Sequence, residues 1–205
     1  MPYLNVKERV LEAKIVYYGA GLCGKTTNLE QIKDKARGGR TGEMMSLNTD
    51  GDRTLFFDWI PFDVGKVNGC DVRVQLYTVP GQTKYAETRR RVLAGADGVV
   101  MVLDSQAGAL DRNRQSVTDL FEHMKANRLD PKRVPIIVQL NKRDLPTAME
   151  PKDLLDAVGL GDHPHHEAVA FEGKGVFETL RLTIKHVLGA MQESARAPGG
   201  IASGE

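Results

Sequence analysis

Apolar residues recur along this chain in two rhythms, one of strands and one of helices, and the rhythm switches repeatedly. Residues 13–18 bring Ile15, Val16, Tyr17 and Tyr18 together in a short apolar run, the mark of a buried strand. Residues 27–35 follow with Leu29 and Ile32 at helical spacing. Residues 55–64 and 70–79 read as two strands joined through Asn68-Gly69, a pair that suits a tight hairpin, so they should run antiparallel. In the second, Val72, Val74 and Leu76 alternate with Arg73 and Gln75, which leaves one face partly wet. Residues 99–103 and 134–140 are almost continuously apolar, as central strands covered on both faces should be. Between them Val117, Leu120, Phe121 and Met124 predict an amphipathic helix over 111–127. Phe177, Leu180, Ile184, Leu188 and Met191 predict a last helix in the same way. From Ser194 the residues are small, polar and glycine-rich, and the expectation over 194–205 is a disordered tail.

Strands and helices alternate throughout, so the expected fold class is α/β: a mostly parallel sheet of six to seven strands, one antiparallel edge hairpin, and helices on both faces. No repeat or linker divides the chain, and residues 1–193 read as one domain with one core. Composition changes this picture little. Of 205 residues 41% are hydrophobic and 27% charged, ordinary for a globular protein, and a net charge of +1 offers no electrostatic footprint for nucleic acid. Two cysteines, Cys23 and Cys70, make neither a disulfide framework nor a metal pattern, which suits a reducing compartment. Residues 1–12 lack the apolar core of a signal peptide, and no run approaches a membrane span. Pro2 excludes an N-myristoyl glycine, and residues 202–205 lack a prenylation cysteine. The expectation is a cytoplasmic protein with no membrane anchor of its own.

The chemistry concentrates in two motifs. Gly19-Ala20-Gly21-Leu22-Cys23-Gly24-Lys25-Thr26 fits the phosphate-binding pattern GxxxxGK[ST], between a predicted strand and a helix that begins near Thr27. Glycines there let consecutive backbone N–H groups curl around phosphate oxygens. Lys25 can reach the β- and γ-phosphates, Thr26 can offer its hydroxyl to Mg²⁺, and the helix N-terminus adds a favourable dipole. Cys23 stands where a small residue is wanted and reads as packing. The second motif, Asn141-Lys142-Arg143-Asp144, directly follows the apolar run 134–140. A carboxylate at a strand end can accept two hydrogen bonds from N1–H and the exocyclic amine of guanine, a donor pair adenine lacks. Together the motifs specify a guanine nucleotide, GTP or GDP.

Over roughly residues 13–191 the chain resembles the Ras-like small GTPases, and most closely the bacterial gliding-motility family, the MglA family. The residues that carry this are Lys14-Ile15-Val16-Tyr17-Tyr18-Gly19, Arg53-Thr54-Leu55-Phe56-Phe57-Asp58, Thr78-Val79-Pro80-Gly81-Gln82 and Gly173-Lys174-Gly175-Val176-Phe177-Glu178. The resemblance implies a phosphate-loop G domain and assigns roles at matching positions. Thr54 would sense the γ-phosphate and complete the Mg²⁺ shell with Thr26. Gly81 would offer its N–H to the γ-phosphate, and Gln82 would orient the attacking water. Asn141 and Asp144 would read the base with Lys142 along its plane, and Ala170 would supply a backbone N–H to guanine O6. Phe171 departs from the hydroxylated residue more often found nearby. Arg53 would be an arginine finger carried in cis, of a kind worth about 10³- to 10⁵-fold in phosphoryl transfer.

Thr78 stands where most small GTPases place the aspartate of DxxG, a departure the MglA family shares. Threonine is uncharged, so another carboxylate should help hold the metal, and Asp58 is the candidate, acting through water. The implied function is a GTP-binding switch with slow hydrolysis, an activating partner of the roadblock fold (MglB-like, a dimer), effectors of unknown identity, and a place in cell polarity or gliding motility. The alternative is a GTP-loaded scaffold that hydrolyses negligibly. A small-molecule kinase or ATPase is the weaker third reading.

Three further features divide between bland and functional readings. His163, His165 and His166 lie around Pro164 without a ligand-spaced partner and read as a solvated loop. Arg89-Arg90-Arg91 reads as a wet helix face. The apolar run 55–62, with three phenylalanines and the only tryptophan, reads equally as core packing and as a docking surface exposed by nucleotide state.

Overall fold

The computed structural model describes residues 3–5, 10–36, 41–46, 57–67, 69–81 and 85–196. In chain order the elements are β1 (Tyr3–Asn5), β2 (Val10–Tyr18), α1 (Lys25–Lys35), β3 (Met45–Ser46), β4 (Asp58–Val67), β5 (Cys70–Thr78), α2 (Ala86–Leu93) and β6 (Gly98–Asp104). They continue with α3 (Leu110–Ala126), β7 (Ile136–Asn141), α4 (Pro151–Ala157), β8 (His165–Glu167) and α5 (Val176–Arg196). A 3₁₀ turn, Ala170–Glu172, joins the last two.

The sheet runs β3-β4-β5-β2-β6-β7-β8, with β1 laid against the start of β2. The four pairings from β5 to β8 are parallel, and β4 with β5 forms the expected antiparallel hairpin. Among the described residues two short strands raise the count to eight: β1 and β3 both pair antiparallel. At three and two residues they carry no periodicity that a sequence window could detect. The hairpin's Gly69 has φ +82, as its turn requires, while Asn68 lies outside the described residues.

Alternation along the central strands explains why helices cover both faces. Val16 and Tyr18 of β2, with Val99, Met101 and Leu103 of β6, pack with Val92, Leu120, Met124 and Leu154 of α2, α3 and α4. Ile15, Tyr17, Val100 and Val102 point the other way, onto Leu29 and Ile32 of α1 and Leu180, Ile184 and Val187 of α5. Each fully buried aliphatic side chain contributes about 1.5–3 kcal/mol, so the two-faced burial of β2 and β6 anchors the fold.

Four expectations are corrected or refined. The last helix continues to Arg196, past the predicted stop at Ser194, because no glycine or proline occurs from Ser194 until Pro198; residues 197–205 lie outside the described ones. His165 and His166 begin the edge strand β8 rather than lying in a loop, since β7 offers them a parallel partner. Arg89 is buried, at 1% exposure, although its neighbour Arg91 faces solvent. In the run 55–62, Ile60 and Phe62 face the α1/α5 core, and Trp59 is half-buried with its indole N–H on Gln75 Oε1 at 2.8 Å. Leu55 and Phe56 lie outside the described residues.

Candidate functional site

The site lies at the carboxyl ends of β2, β5, β6 and β7, where parallel strands hand over to loops. The phosphate loop, residues 19–26, leaves β2 and enters α1. At Gly24 φ is +104, and a Cβ there would stand 2.2 Å from Asn141 Nδ2, so only glycine fits. The Lys25 side chain is buried, with its Nζ donating to the carbonyls of Gly19 (3.1 Å) and Ala20 (2.7 Å). The loop thus curls around its own ammonium, which sits at the centre of the phosphate cradle. Cys23 is fully buried, as packing requires, whereas Leu22 is 85% exposed and holds φ +63. Thr27 continues the first turn of α1.

The loop after β5 closes one side. Gly81 lies so near the phosphate loop that a Cβ on it would be 2.4 Å from Gly21 Cα. At the ends of β4 and β5 two hydroxyls meet one carboxylate oxygen. The hydroxyls of Thr26 (2.7 Å) and Thr78 (3.0 Å) both donate to Asp58 Oδ2, and the Asp58 N–H donates to Thr78 Oγ1 at 2.9 Å. A threonine in place of the usual aspartate therefore does not leave this corner without a carboxyl group: β4 delivers one to it. A carboxylate and a hydroxyl are hard oxygen donors, the set that suits Mg²⁺, which takes one or two protein ligands and completes its shell with water and phosphate. The residues present fit that ion.

The base-reading motif follows β7. Asn141 is buried, with Nδ2 donating to Cys23 O at 2.8 Å and Oδ1 accepting from the Ala170 N–H at 2.9 Å. It thus ties the phosphate loop to the 170–172 turn, and the Ala170 N–H assigned to guanine O6 is engaged by this side chain. Lys142 adopts φ +65, and its Nζ pairs with the buried Asp104 at 2.7 Å. Asp144 is exposed at the mouth. The turn is stapled to α1 by Gln31, donating to Phe171 O at 3.1 Å, and by Lys35, donating to Glu172 O at 2.8 Å. Phe171 itself is 86% exposed. Arg53, Thr54 and Gln82 lie outside the described residues.

Sequence reading missed several participants. Asp104 ends β6 in register with Asn141, a pairing visible only once the two strands are adjacent. Arg89 on α2 bonds Asp119 of α3 at 2.7 Å and Ser116 at 3.2 Å, and its guanidinium lies 4.6 Å from the Tyr18 ring centroid. Tyr18 Oη in turn lies 2.8 Å from His123 Nδ1. Burial, and then the Arg89 charge, hold the His123 imidazole below its ordinary pKa. Burial likewise pushes the Tyr18 hydroxyl up.

A phosphate loop whose last glycine abuts the asparagine of an Asn-Lys-x-Asp motif defines a guanine-nucleotide-binding domain of the phosphate-loop class. The comparisons make this specific. The model of the ADP-ribosylation factor family matches residues 3–186. The chain is 43% identical over 188 residues to the mutual gliding-motility protein MglA of Myxococcus xanthus (strain DK1622), covering 92% of this chain and 96% of that protein. It is 27% identical over 177 residues to ADP-ribosylation factor-like protein 6 of Caenorhabditis elegans, covering 83% and 84% of the two. It is 33% identical over 180 residues to peptide chain release factor 3 of Microcystis aeruginosa (strain NIES-843 / IAM M-2473), but spans only 30% of that protein. The chain belongs to the ADP-ribosylation factor family, in its MglA type, and is a small GTPase: a GTP-binding switch that hydrolyses GTP. Among the described residues no helix is long and apolar enough to cross a membrane.

Proposed function

We propose that this GTPase is a Mg²⁺-dependent, partner-stimulated switch in cell polarity or gliding motility, with Asp58 standing in for the missing DxxG carboxylate. The observation that carries the reading is the contact of the Thr26 and Thr78 hydroxyls with one Asp58 oxygen. Thr26 and Thr54 would hold the ion directly and Asp58 through water. When bound, Mg²⁺ supplies positive charge to the β- and γ-phosphate oxygens.

The remaining work falls to the chain. Lys25, already surrounded by loop carbonyls, turns its ammonium to the β- and γ-phosphates. The Gly81 N–H faces the γ-phosphate from the neighbouring loop. Gln82 orients the attacking water, and Arg53 neutralises charge as the bond to the leaving phosphate breaks. Asp144 reads guanine, Lys142 lies along its plane held by Asp104, and Asn141 keeps base and phosphate subsites together. Gly19, Gly21, Leu22, Cys23, Gly24 and Thr27 complete the nucleotide-facing backbone, whereas the Ala170 N–H would have to leave Asn141 Oδ1 to reach guanine O6. A dimeric roadblock-fold protein would order the Arg53 and Gln82 segments, and through it a cytoplasmic protein could concentrate at a cell pole.

The test is the Mg²⁺ dependence of fluorescent GDP release. Asp58→Ala should raise the Mg²⁺ concentration needed for slow release by about tenfold or more, equivalent to about 1.4 kcal/mol. An unchanged requirement removes Asp58 from the metal site. Single-turnover GTP hydrolysis with a roadblock protein separates switch from scaffold. Acceleration lost in Arg53→Ala or Gln82→Leu supports the switch, whereas no acceleration with any such partner favours the scaffold.

A further inference from the structure

Asn28 on α1, Gln139 on β7 and Thr179 on α5 are all fully buried, in the layer between the sheet and the α1/α5 face. Asn28 and Gln139 exchange two hydrogen bonds: Asn28 Nδ2 to Gln139 Oε1 at 2.8 Å, and Gln139 Nε2 to Asn28 Oδ1 at 2.9 Å. Their other donors are also used. Asn28 Nδ2 reaches Gly24 O at 2.9 Å, and Gln139 Nε2 reaches Thr179 Oγ1 at 3.1 Å, whose own hydroxyl donates to Gly175 O. Two leucines would fill a similar space without desolvating amides, so stability alone does not explain the pair. A reciprocal amide pair does what leucines cannot: it satisfies both bonds in only one lateral register.

That register joins the two halves of the nucleotide site. Gln139 lies two residues before Asn141, and Asn28 one turn beyond Gly24. The strand is therefore tied to two consecutive residues of the phosphate loop, to Cys23 O through Asn141 and to Gly24 O through Asn28. We propose that the Asn28–Gln139 pair is a positioning device that locks the phosphate loop in register with the base-reading end of β7. It rests on the assignment of Asp144 as the base reader. A ligand that spans two rigidly related subsites gains over one held at a single subsite, and loosening the relation loses that gain selectively.

The experiment compares competition by GDP and by ADP against a fluorescent guanine nucleotide on the full chain. ADP is held through phosphates alone. In Asn28→Leu/Gln139→Leu, GDP should weaken by about ten- to a hundredfold while ADP stays within about twofold. The exchanged pair, Asn28→Gln/Gln139→Asn, should restore most of the difference. If the double-leucine chain does not fold, Asn28→Ala is read by the same split. Parallel weakening of both nucleotides, or no change in either, overturns the proposal. Asp144→Ala in the unaltered background is the control on the premise: if it leaves the GDP-to-ADP ratio unchanged, the base-reader assignment fails instead.

Discussion

Replacing Gly24 by alanine should damage this protein in two separable ways. One is backbone strain: at φ +104 an alanine costs about 1–2 kcal/mol. The other is collision, because the new Cβ would lie 2.2 Å from Asn141 Nδ2. Asn141 would have to move, leaving the buried Cys23 carbonyl and the Ala170 N–H without partners. An orphaned buried group costs about 1–3 kcal/mol, so strain and two orphans amount to about 3–8 kcal/mol, against a typical total stability of about 5–15 kcal/mol. Two controls divide these effects. Gly95 has φ +70 and open space around its Cβ, so Gly95→Ala carries strain alone; Gly108 has open space and no positive φ. For a chain of this length about 1 kcal/mol moves Tm by about 2–4 °C. Thermal unfolding should therefore leave Gly108→Ala near the parent and lower Gly95→Ala by about 2–8 °C, with Gly24→Ala falling further. Fluorescent GDP titration should show lost affinity only in Gly24→Ala. If Gly24→Ala matches Gly95→Ala in both measurements, the claim that this glycine exists to admit Asn141 is wrong.

Asp144→Asn should weaken GDP and improve xanthosine diphosphate, because an amide can donate where the carboxylate only accepts; competition titration with both nucleotides decides it. Arg89→Met should cost about 3 kcal/mol by urea unfolding, since it leaves the Asp119 carboxylate without its cation and with only the Gln115 amide donating to it, and a cycle with Asp119→Asn should show strong coupling. His123 also predicts a pH dependence. Its pKa is depressed in the folded state, so the unfolded chain binds more protons between the two values. The associated stability is fully present above the unfolded pKa of about 6.5 and is lost as pH falls through the folded value. Melting temperature should therefore fall from about pH 7.5 to 5.5, and His123→Gln should flatten that slope; equal slopes would remove His123 as the cause.

The phosphate loop and the Asn-Lys-x-Asp motif were readable in the sequence, and the reason is local. Glycines at fixed offsets, a lysine and a threonine at the head of a helix, and an aspartate three residues after Asn141 are contiguous patterns whose chemistry follows from spacing. The central strands were equally legible, because burial on both faces leaves near-continuous apolar runs such as those of β6 and β7. Short strands were not: β1 and β3 exist because a neighbour offers its edge, not because of their own composition.

The polar interior was illegible for a different reason. Asn28, Asp104 and Arg89 look like surface residues in a linear reading, where amides and charges default to solvent, and Gln139 is a lone amide in an otherwise apolar strand with no partner in view. Each is buried because a partner from a distant segment satisfies it, and such pairing is a property of the assembled sheet and helices. Sequence alone thus determined that the chain would carry a phosphate loop, an Asn-Lys-x-Asp motif after a buried strand, and a two-faced α/β core. The assembled fold decided that Asp58 would meet Thr26 and Thr78, and that Asn141 would bridge loop and turn. It also decided that an amide pair would hold the two halves of the site in register. Contacts within a segment follow from its spacing, whereas contacts between segments, whether 20 or 118 residues apart, exist only after the chain has closed.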